Sequence, residues 1–428
     1  MVNFLRNSFL RYPVLQIERF TESERIFDVL KLSVPSLLGI FIFFTPIPHT
    51  TAIKEVCFYL SIFIVLLLLY RKKIDFSFTS PFTLPFALFV IWAFIGLFFA
   101  LDKGNSIHDF RAHLLAYLCV YYLLINFFTS MRRLHILSWI IIISAASFSV
   151  GGLAYFYLIL ENPISKRFGF SEMMNIDLIG FVTIFAILLS LHLLRLENIV
   201  YRRVMLVVCL LGTSMATYLT MSRGSLVAAC IALVAFFATR NKRLVVLLII
   251  FSLIAVGTVP ALKERFAPDR FLNDMRIGIN LTTLEILKDY PITGIGFGME
   301  TYGNKNFIDL KKYHARVHPQ YQLRGPLISA PHNSFADVAV RTGAVGLALF
   351  IVVYVVFVRL CWRIIRYGEN DYIREWGICI MAAFIGVFVQ QLFADGMFGP
   401  QAIVFYTILA MTTILWQMNA ELENITTS

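Results

Sequence analysis

The sequence predicts an all-α integral membrane protein with about twelve transmembrane helices and one long, partly helical periplasmic loop between spans 9 and 10. Composition is the first indication, because the chain is 59% hydrophobic and only 15% charged, with a mean hydropathy of +0.76. A soluble protein of this length cannot bury so much apolar surface. The second indication is the recurrence of apolar runs of about 20 residues, which match the roughly 30 Å hydrocarbon core of a bilayer. The third is a single long polar interruption, residues 261–333.

The apolar runs define the predicted spans, nine before the interruption and three after it. These spans are residues 32–49, 53–70, 82–101, 112–129, 136–160, 176–194, 204–221, 224–239, 244–260, 335–358, 376–394 and 401–417. The chain then divides into a leader (1–31), spans 1–9 (32–260), the loop (261–333), spans 10–12 (334–418) and a tail (419–428). The leader mixes apolar and charged residues, which predicts an amphipathic helix on the cytoplasmic membrane surface.

Charge predicts the orientation of the chain. Lys and Arg cluster in alternate short loops, at 71–73, 132–133, 202–203, 240–243 and 359–374. Under the positive-inside rule these loops and both termini are cytoplasmic, and the long loop is periplasmic. We therefore expect a multi-pass membrane protein in contact with membrane lipids; its assignment to the bacterial inner membrane follows only from the family resemblance given below. The net charge of +11 is mostly explained by this topology and does not indicate nucleic acid.

Cysteine and histidine placement argues against disulfides and metal in the loop. The six cysteines all fall in or beside spans. His314 and His318 have the i, i+4 spacing of a helical metal site, but no Asp, Glu or Cys nearby completes a ligand set. We expect no metal and no cofactor.

A glycine motif lies in the loop at Gly294, Gly296 and Gly298. No strand precedes it, so a nucleotide-binding fold is not indicated. A tight turn that brings backbone close to another element is the preferred interpretation. Upstream, apolar residues recur at helical spacing until Tyr290-Pro291, which predicts a helix ending there.

His332 is the first candidate for chemistry. It lies where the loop returns to the membrane, and its ordinary pKa of about 6.5 suits a proton acceptor near neutrality. Asn333 and Ser334 are good caps for the following helix. The alternative is a histidine that makes only a structural hydrogen bond at the helix start.

Arg223 is the second candidate. It lies at the tip between two spans, with no carboxylate close in sequence, and charged residues at such positions are often functional. Arginine binds phosphate through two parallel hydrogen bonds. Arg265, Arg270 and Arg276 are expected to add positive charge beside it. The alternative is an arginine that only reaches toward the membrane surface.

Arg341 lies some way into the span after His332, about 13 Å deep by helical rise. It must face protein or water rather than lipid. Asp395, at the end of the eleventh span, is a plausible ion partner. Arg341, Asn333 and Asp395 are therefore candidates for either substrate contact or structural support.

Three sequence elements together resemble the superfamily of O-antigen ligases and O-antigen polymerases. The resemblance covers about residues 220–350, and the topology matches over nearly the whole chain. The elements are Ser222-Arg223-Gly224, the helix with Arg276 that runs into 290–298, and Pro331-His332-Asn333-Ser334-Phe335 followed by 341–347.

The resemblance implies a membrane glycosyltransferase whose donor is a glycan on undecaprenyl diphosphate. In the ligases the acceptor is a sugar of lipid A-core. Carried over by motif, His332 removes a proton from the acceptor hydroxyl, while Arg223 and Arg276 hold the diphosphate. Arg341 departs from the family pattern, and the alignment of Arg265, Arg270 and Arg276 is ambiguous.

The alternatives remain open at the level of sequence. The single long loop and the basic site favour a ligase over an O-antigen polymerase or a protein O-oligosaccharyltransferase. A polyprenyl-linked glycan flippase or transporter is the non-enzymatic alternative. Charge is sparse in spans 1–6 and clusters after span 9, which favours surface chemistry over transport.

Overall fold

A computed structural model describes residues 22–169, 175–267, 274–323, 327 and 330–427. Within these residues all regular secondary structure is helical, which confirms the all-α class. The helices are α1 Glu22–Phe44, α2 Thr51–Tyr70, α3 Thr83–Phe99, α4 Lys103–Phe127, α5 Met131–Ile159, α6 Ile176–Leu196, α7 Val200–Leu219, α8 Arg223–Ala238, α9 Lys242–Thr258, α10 Pro260–Arg265, α11 Met275–Asp289, α12 Leu310–His314, α13 Ser334–Tyr367, α14 Asp371–Gln391 and α15 Ala402–Thr427.

Among the described residues, nine helices are long and apolar enough to cross a membrane. The other three predicted spans coincide with α3, α8 and α9, which have 17, 16 and 17 residues. At 1.5 Å per residue these helices extend about 24–26 Å, less than the hydrocarbon thickness. The number twelve and the side on which residues 261–333 lie therefore stay predictions.

The predicted leader and tail continue the neighbouring helices. α1 begins at Glu22 and runs through residue 31 to Phe44 without a break. The first 21 residues of the predicted leader lie outside the described residues. At the other end α15 runs beyond residue 418.

The centre of the bundle is a close contact between α6, α8 and α14. A side chain at Gly386 would meet Ile184 Cγ2 at 2.7 Å and Ala232 Cβ at 2.8 Å. Small residues at such points let helix backbones approach, which is the usual basis of helix packing in membranes. This close packing fixes α6, α8 and α14 relative to one another. It therefore also fixes the relative positions of the residues at their ends.

α13 is broken at Gly343, where φ is 71° and ψ is −178°. Just before the break, three backbone carbonyl groups of α13 accept hydrogen bonds from outside the helix. The Val340 oxygen accepts from Ile295 N at 2.9 Å and the Arg341 oxygen from Gly296 N at 3.1 Å. The Thr342 oxygen accepts from the Trp92 indole at 2.8 Å. The first part of α13 is therefore held by α3 and by residues 294–298, which we call the glycine loop.

The glycine loop confirms the interpretation of close backbone approach. Gly294 and Gly296 have φ of +70° and +108°, and a side chain at Gly294 would meet the Arg341 carbonyl oxygen at 2.6 Å. On the far side, Leu101 N donates to the Ile295 oxygen at 3.0 Å. The glycine loop is therefore hydrogen-bonded on one side to α13 at its break and on the other side to the connection between α3 and α4.

The remaining part of the polar segment (residues 261–333) forms a small apolar core of its own. The predicted helix end is confirmed, since α11 stops at Asp289. The buried members of this core are Ile286, Ile295, Tyr302, Ile308, Tyr313 and Val340. Because Val340 belongs to α13, this core docks the segment onto the broken helix.

We expect Gly343→Ala to lower the apparent Tm of the purified protein. The backbone conformation at Gly343 is essentially restricted to glycine and costs other residues about 1–3 kcal/mol. An added side chain would also overlap the Ile292 carbonyl. Gly257→Ala in α9 is the control, because a side chain there meets nothing within 4 Å. Equal Tm values for the two variants would contradict this account of the break.

Candidate functional site

Four helices begin at one place, where the polar segment meets the bundle. Each start is capped by a short polar side chain: Asn175 for α6, Ser222 for α8, Asp274 for α11 and Asn333 for α13. Such caps satisfy backbone N–H groups that a helix start leaves without partners. The positive ends of helix dipoles favour anions, so this location suits a negatively charged ligand.

Arg223 is the first residue of α8, and it shares an acidic partner with Arg276 of α11. Its Nη2 is 2.5 Å from the Asp274 Oδ2, and Arg276 Nη1 is 4.0 Å from the same oxygen. Asp274 thus lies between two guanidinium groups. This partner is not apparent from the sequence, because Asp274 lies 51 residues beyond Arg223.

Arg167 and Arg265 extend the positive charge around Arg223. Arg167 is partly buried and donates through Nε to the Thr220 carbonyl. Burial, with Arg265 and other nearby arginines, lowers the pKa of Arg167 to about 10. Arg265 is exposed at the end of α10, while Arg270 lies outside the described residues.

Phe393 packs against both Arg276 and the turn that precedes α8. The Arg276 guanidinium carbon lies 5.8 Å from the centroid of its ring. A side chain at Gly224 would meet Phe393 Cβ at 2.7 Å, so glycine lets the 222–224 turn rest on this residue. Nothing in the sequence distinguishes Phe393 from the chain's other phenylalanines.

His332 lies next to Asp177, which is in the first turn of α6. The distance from His332 Nδ1 to Asp177 Oδ2 is 3.9 Å, and the histidine side chain is 31% exposed. Its φ of 51° is unusual for a residue other than glycine, although histidine tolerates it better than most. Burial lowers the pKa of His332, Asp177 opposes that effect and Arg276 adds to it. A neutral, half-exposed imidazole at neutral pH is suited to accept a proton.

Asn333 and Asp395 fix the backbone beside His332. Asn333 N donates to Asp395 Oδ1 at 3.2 Å, and the Asn333 side chain caps α13. Burial, and secondarily Asp337, raise the pKa of Asp395 to about 8, while Arg341 acts in the opposite direction. These contacts give both residues a supporting role at the start of α13.

Arg341 is buried and faces protein, as expected, but its ion partner is Asp337 rather than Asp395. Its Nε donates to Asp337 Oδ1 at 2.6 Å. The other guanidinium nitrogens donate to the Gly298 carbonyl and, at 3.3 Å, to the Met299 carbonyl. Arg341 therefore ties the glycine loop to α13, and this supports its structural interpretation.

The histidines of the polar segment do not share a metal-binding face. His314 Nδ1 lies 2.8 Å from Thr282 Oγ1, and its Nε2 accepts from Leu323 N at 2.7 Å. His318 Nδ1 accepts from Gln320 N at 3.3 Å. Within the described ranges there is no cluster of three or more His, Cys, Asp or Glu that could hold a metal. Metal independence itself stays a prediction.

Asp177, Asp274, Asp337 and Arg167 were not identified from the sequence. Two of them carry a usable signal. Asp177 is an acidic residue in the first turn of an otherwise apolar span, and Asp337 precedes Arg341 at the i, i+4 spacing of a helical ion pair. Arg167 and Asp274 have no such signal, since their neighbours come from distant parts of the chain.

Residues 207–351 match the model of the family described as O-antigen ligase. The match includes Arg223, Asp274, Arg276, His332 and Arg341, and it confirms the resemblance to the O-antigen ligase superfamily. It supports membrane glycosyl transfer of the ligase and polymerase type in general. A search of the curated proteins finds no match to the chain.

We expect Asp337→Asn to destabilise the protein strongly. The substitution leaves the Arg341 guanidinium, which is 3% exposed, without its counter-charge. Removing one partner of a buried ion pair typically costs about 3–5 kcal/mol. The apparent Tm in detergent is the measurement. Asp289→Asn, which breaks the exposed pair with Arg316, is the control and should change the Tm little. Similar Tm values for both variants would rule out the tie made by Arg341.

Proposed function

We propose that this chain is a metal-independent, inverting O-antigen ligase of the bacterial inner membrane. It transfers a glycan from undecaprenyl diphosphate to lipid A-core on the periplasmic side. The observation that carries the proposal is the arrangement of Arg223 and Arg276 on one carboxylate, Asp274, close to a half-exposed His332. Both arginines and the histidine lie in the segment that matches the family.

The donor diphosphate binds where Asp274 now lies between the two guanidinium groups. A carboxylate and a phosphate present similar pairs of oxygens to arginine, so Asp274 marks a position that an anion can occupy. Four helix starts and Arg167 add to the positive potential there. When the diphosphate binds, the Asp274 carboxylate either rotates away from Arg223 and Arg276 or remains bound to them together with the diphosphate.

The transfer is a single displacement at the sugar C1 carbon. The acceptor hydroxyl gives its proton to the free nitrogen of His332, and its oxygen forms the new bond to C1. The bond between C1 and the phosphate oxygen breaks, and its electron pair remains on the undecaprenyl diphosphate. Arg223 and Arg276 stabilise the charge that develops on the leaving group, which is the usual role of preorganised donors. Attack opposite the diphosphate inverts the configuration at C1.

His332→Ala should abolish glycan transfer and leave folding intact. The side chain makes no hydrogen bond among the described residues that would be lost, and α13 keeps its Asn333 cap. The measurement is transfer by the purified variant from undecaprenyl-diphosphate glycan to lipid A-core, with the Tm as the folding check. Turnover close to that of the wild type would overturn the assignment of the base. The same assay with the wild type separates the alternatives. Growth of the lipid-linked glycan would indicate an O-antigen polymerase, and transfer to an added acceptor protein would indicate a protein O-oligosaccharyltransferase.

Arg223→Lys should keep the fold and lose most activity. An ammonium group cannot reproduce the planar pair of hydrogen bonds that a guanidinium makes to phosphate. Loss of one charge-assisted hydrogen bond costs about 1.5–3 kcal/mol, roughly 10- to 150-fold in rate. Single-turnover transfer at saturating donor is the measurement, with Arg316→Lys on the exposed surface as the matched control. Equal rates for wild type and Arg223→Lys would mean that Arg223 only anchors the turn.

A further inference from the structure

The Asp177 side chain is not the cap of its own helix, and among the described residues its ion-pair partner is His332. The cap of α6 is Asn175, whose side chain accepts from Asp177 N at 2.8 Å and from Leu178 N at 3.4 Å. The Asp177 side chain is 23% exposed and lies 3.9 Å from His332 Nδ1. The positive end of the α6 dipole favours a negative charge at this position, and His332 is the group that this charge faces at 3.9 Å.

We propose that Asp177 is a positioning residue for His332. It draws the Nδ1–H of the imidazole toward its carboxylate, leaves the Nε2 lone pair free for the acceptor hydroxyl, and stabilises the imidazolium that forms. This inference rests on the proposed function of His332 as the base.

The chemistry of histidine supports this geometry. A neutral imidazole has one N–H and one lone pair, and a carboxylate beside one nitrogen selects the N–H there. The observed 3.9 Å is longer than a hydrogen bond, but such contacts often tighten only when substrate is bound. The left-handed backbone at His332, with φ of 51°, presents the ring at this angle and is the kind of strain found at functional sites.

Other charges also face this pair. Arg276 from α11 and Asp337 from α13 act on His332, and Asp395 accepts from the adjacent Asn333 N. Arg167 and Arg276 also lie near Asp177, so its negative charge interacts with these two arginines as well as with His332. If Asp177 served only to balance these arginines, its loss would change donor binding and leave His332 unaffected.

The test is Asp177→Asn in the full-length protein, with Asp177→Glu as the conservative variant and Asp289→Asn as the control. We expect kcat for Asp177→Asn to fall by on the order of 10- to 100-fold, part of the contribution of a general base. The pKa of His332 should fall, because the opposing negative charge is gone. The acid limb of the pH profile then moves to lower pH. Asp177→Glu should restore part of both properties, and Asp289→Asn should match the wild type.

A measurement that needs no turnover separates this inference from the proposed function. The rate at which diethyl pyrocarbonate modifies His332 is followed against pH by peptide mass spectrometry, with His318 as the internal reference. A lower midpoint for His332 in Asp177→Asn supports the contact even if the wild type transfers no glycan, in which case only the proposed function fails. An unchanged midpoint overturns the role of Asp177, whether or not the protein transfers glycan and whether kcat stays the same or falls.

Discussion

The break in α13 at Gly343 is the constraint on which the rest of the site depends. In an apolar environment each unpaired backbone group costs several kcal/mol, so a broken helix requires external partners. The glycine loop and Trp92 supply them to the Val340, Arg341 and Thr342 carbonyl groups. Because the same loop is held by Arg341, the break, the loop and the ion pair with Asp337 stabilise one another. Together they fix the start of α13, where His332 and Asn333 lie.

The site combines this fixed helix start with three others. Helix starts supply positive potential, and the arginines Arg223 and Arg276 add full charges to it. Asp274 and Asp177 offset part of that charge in the absence of substrate. The result is a location that suits an anion without holding a large uncompensated positive charge. In the proposed function that anion is the donor diphosphate, and the neutral His332 beside it removes the proton of the acceptor hydroxyl.

Asp177 and Asp395 both lie near His332, but the charged groups around them differ. Asp395 accepts from Asn333 N, and partial burial together with Asp337 raises its pKa to about 8, which makes it a poor permanent counter-charge for an imidazolium. Asp177 is partly exposed and lies near arginines as well as near His332. Burial acts against the charge of Asp177, while His332, Arg276 and Arg167 favour that charge. Asp177 therefore has several positive neighbours, whereas the positive neighbour of Asp395 is Arg341.

The sequence by itself determined the all-α membrane class, the end of α11 at Tyr290-Pro291, and the candidates Arg223, Arg276 and His332. These features depend on local composition, on helix-stop residues and on motifs, which can be read along the chain. Only the tertiary structure decided that Asp274 lies between two arginines, that Asp177 and Arg167 join the site, and that Arg341 binds the Gly298 carbonyl. The physical reason is that ion pairing depends on distance in space, and here packing of α6, α8, α11 and α13 brings together residues from four separate parts of the chain.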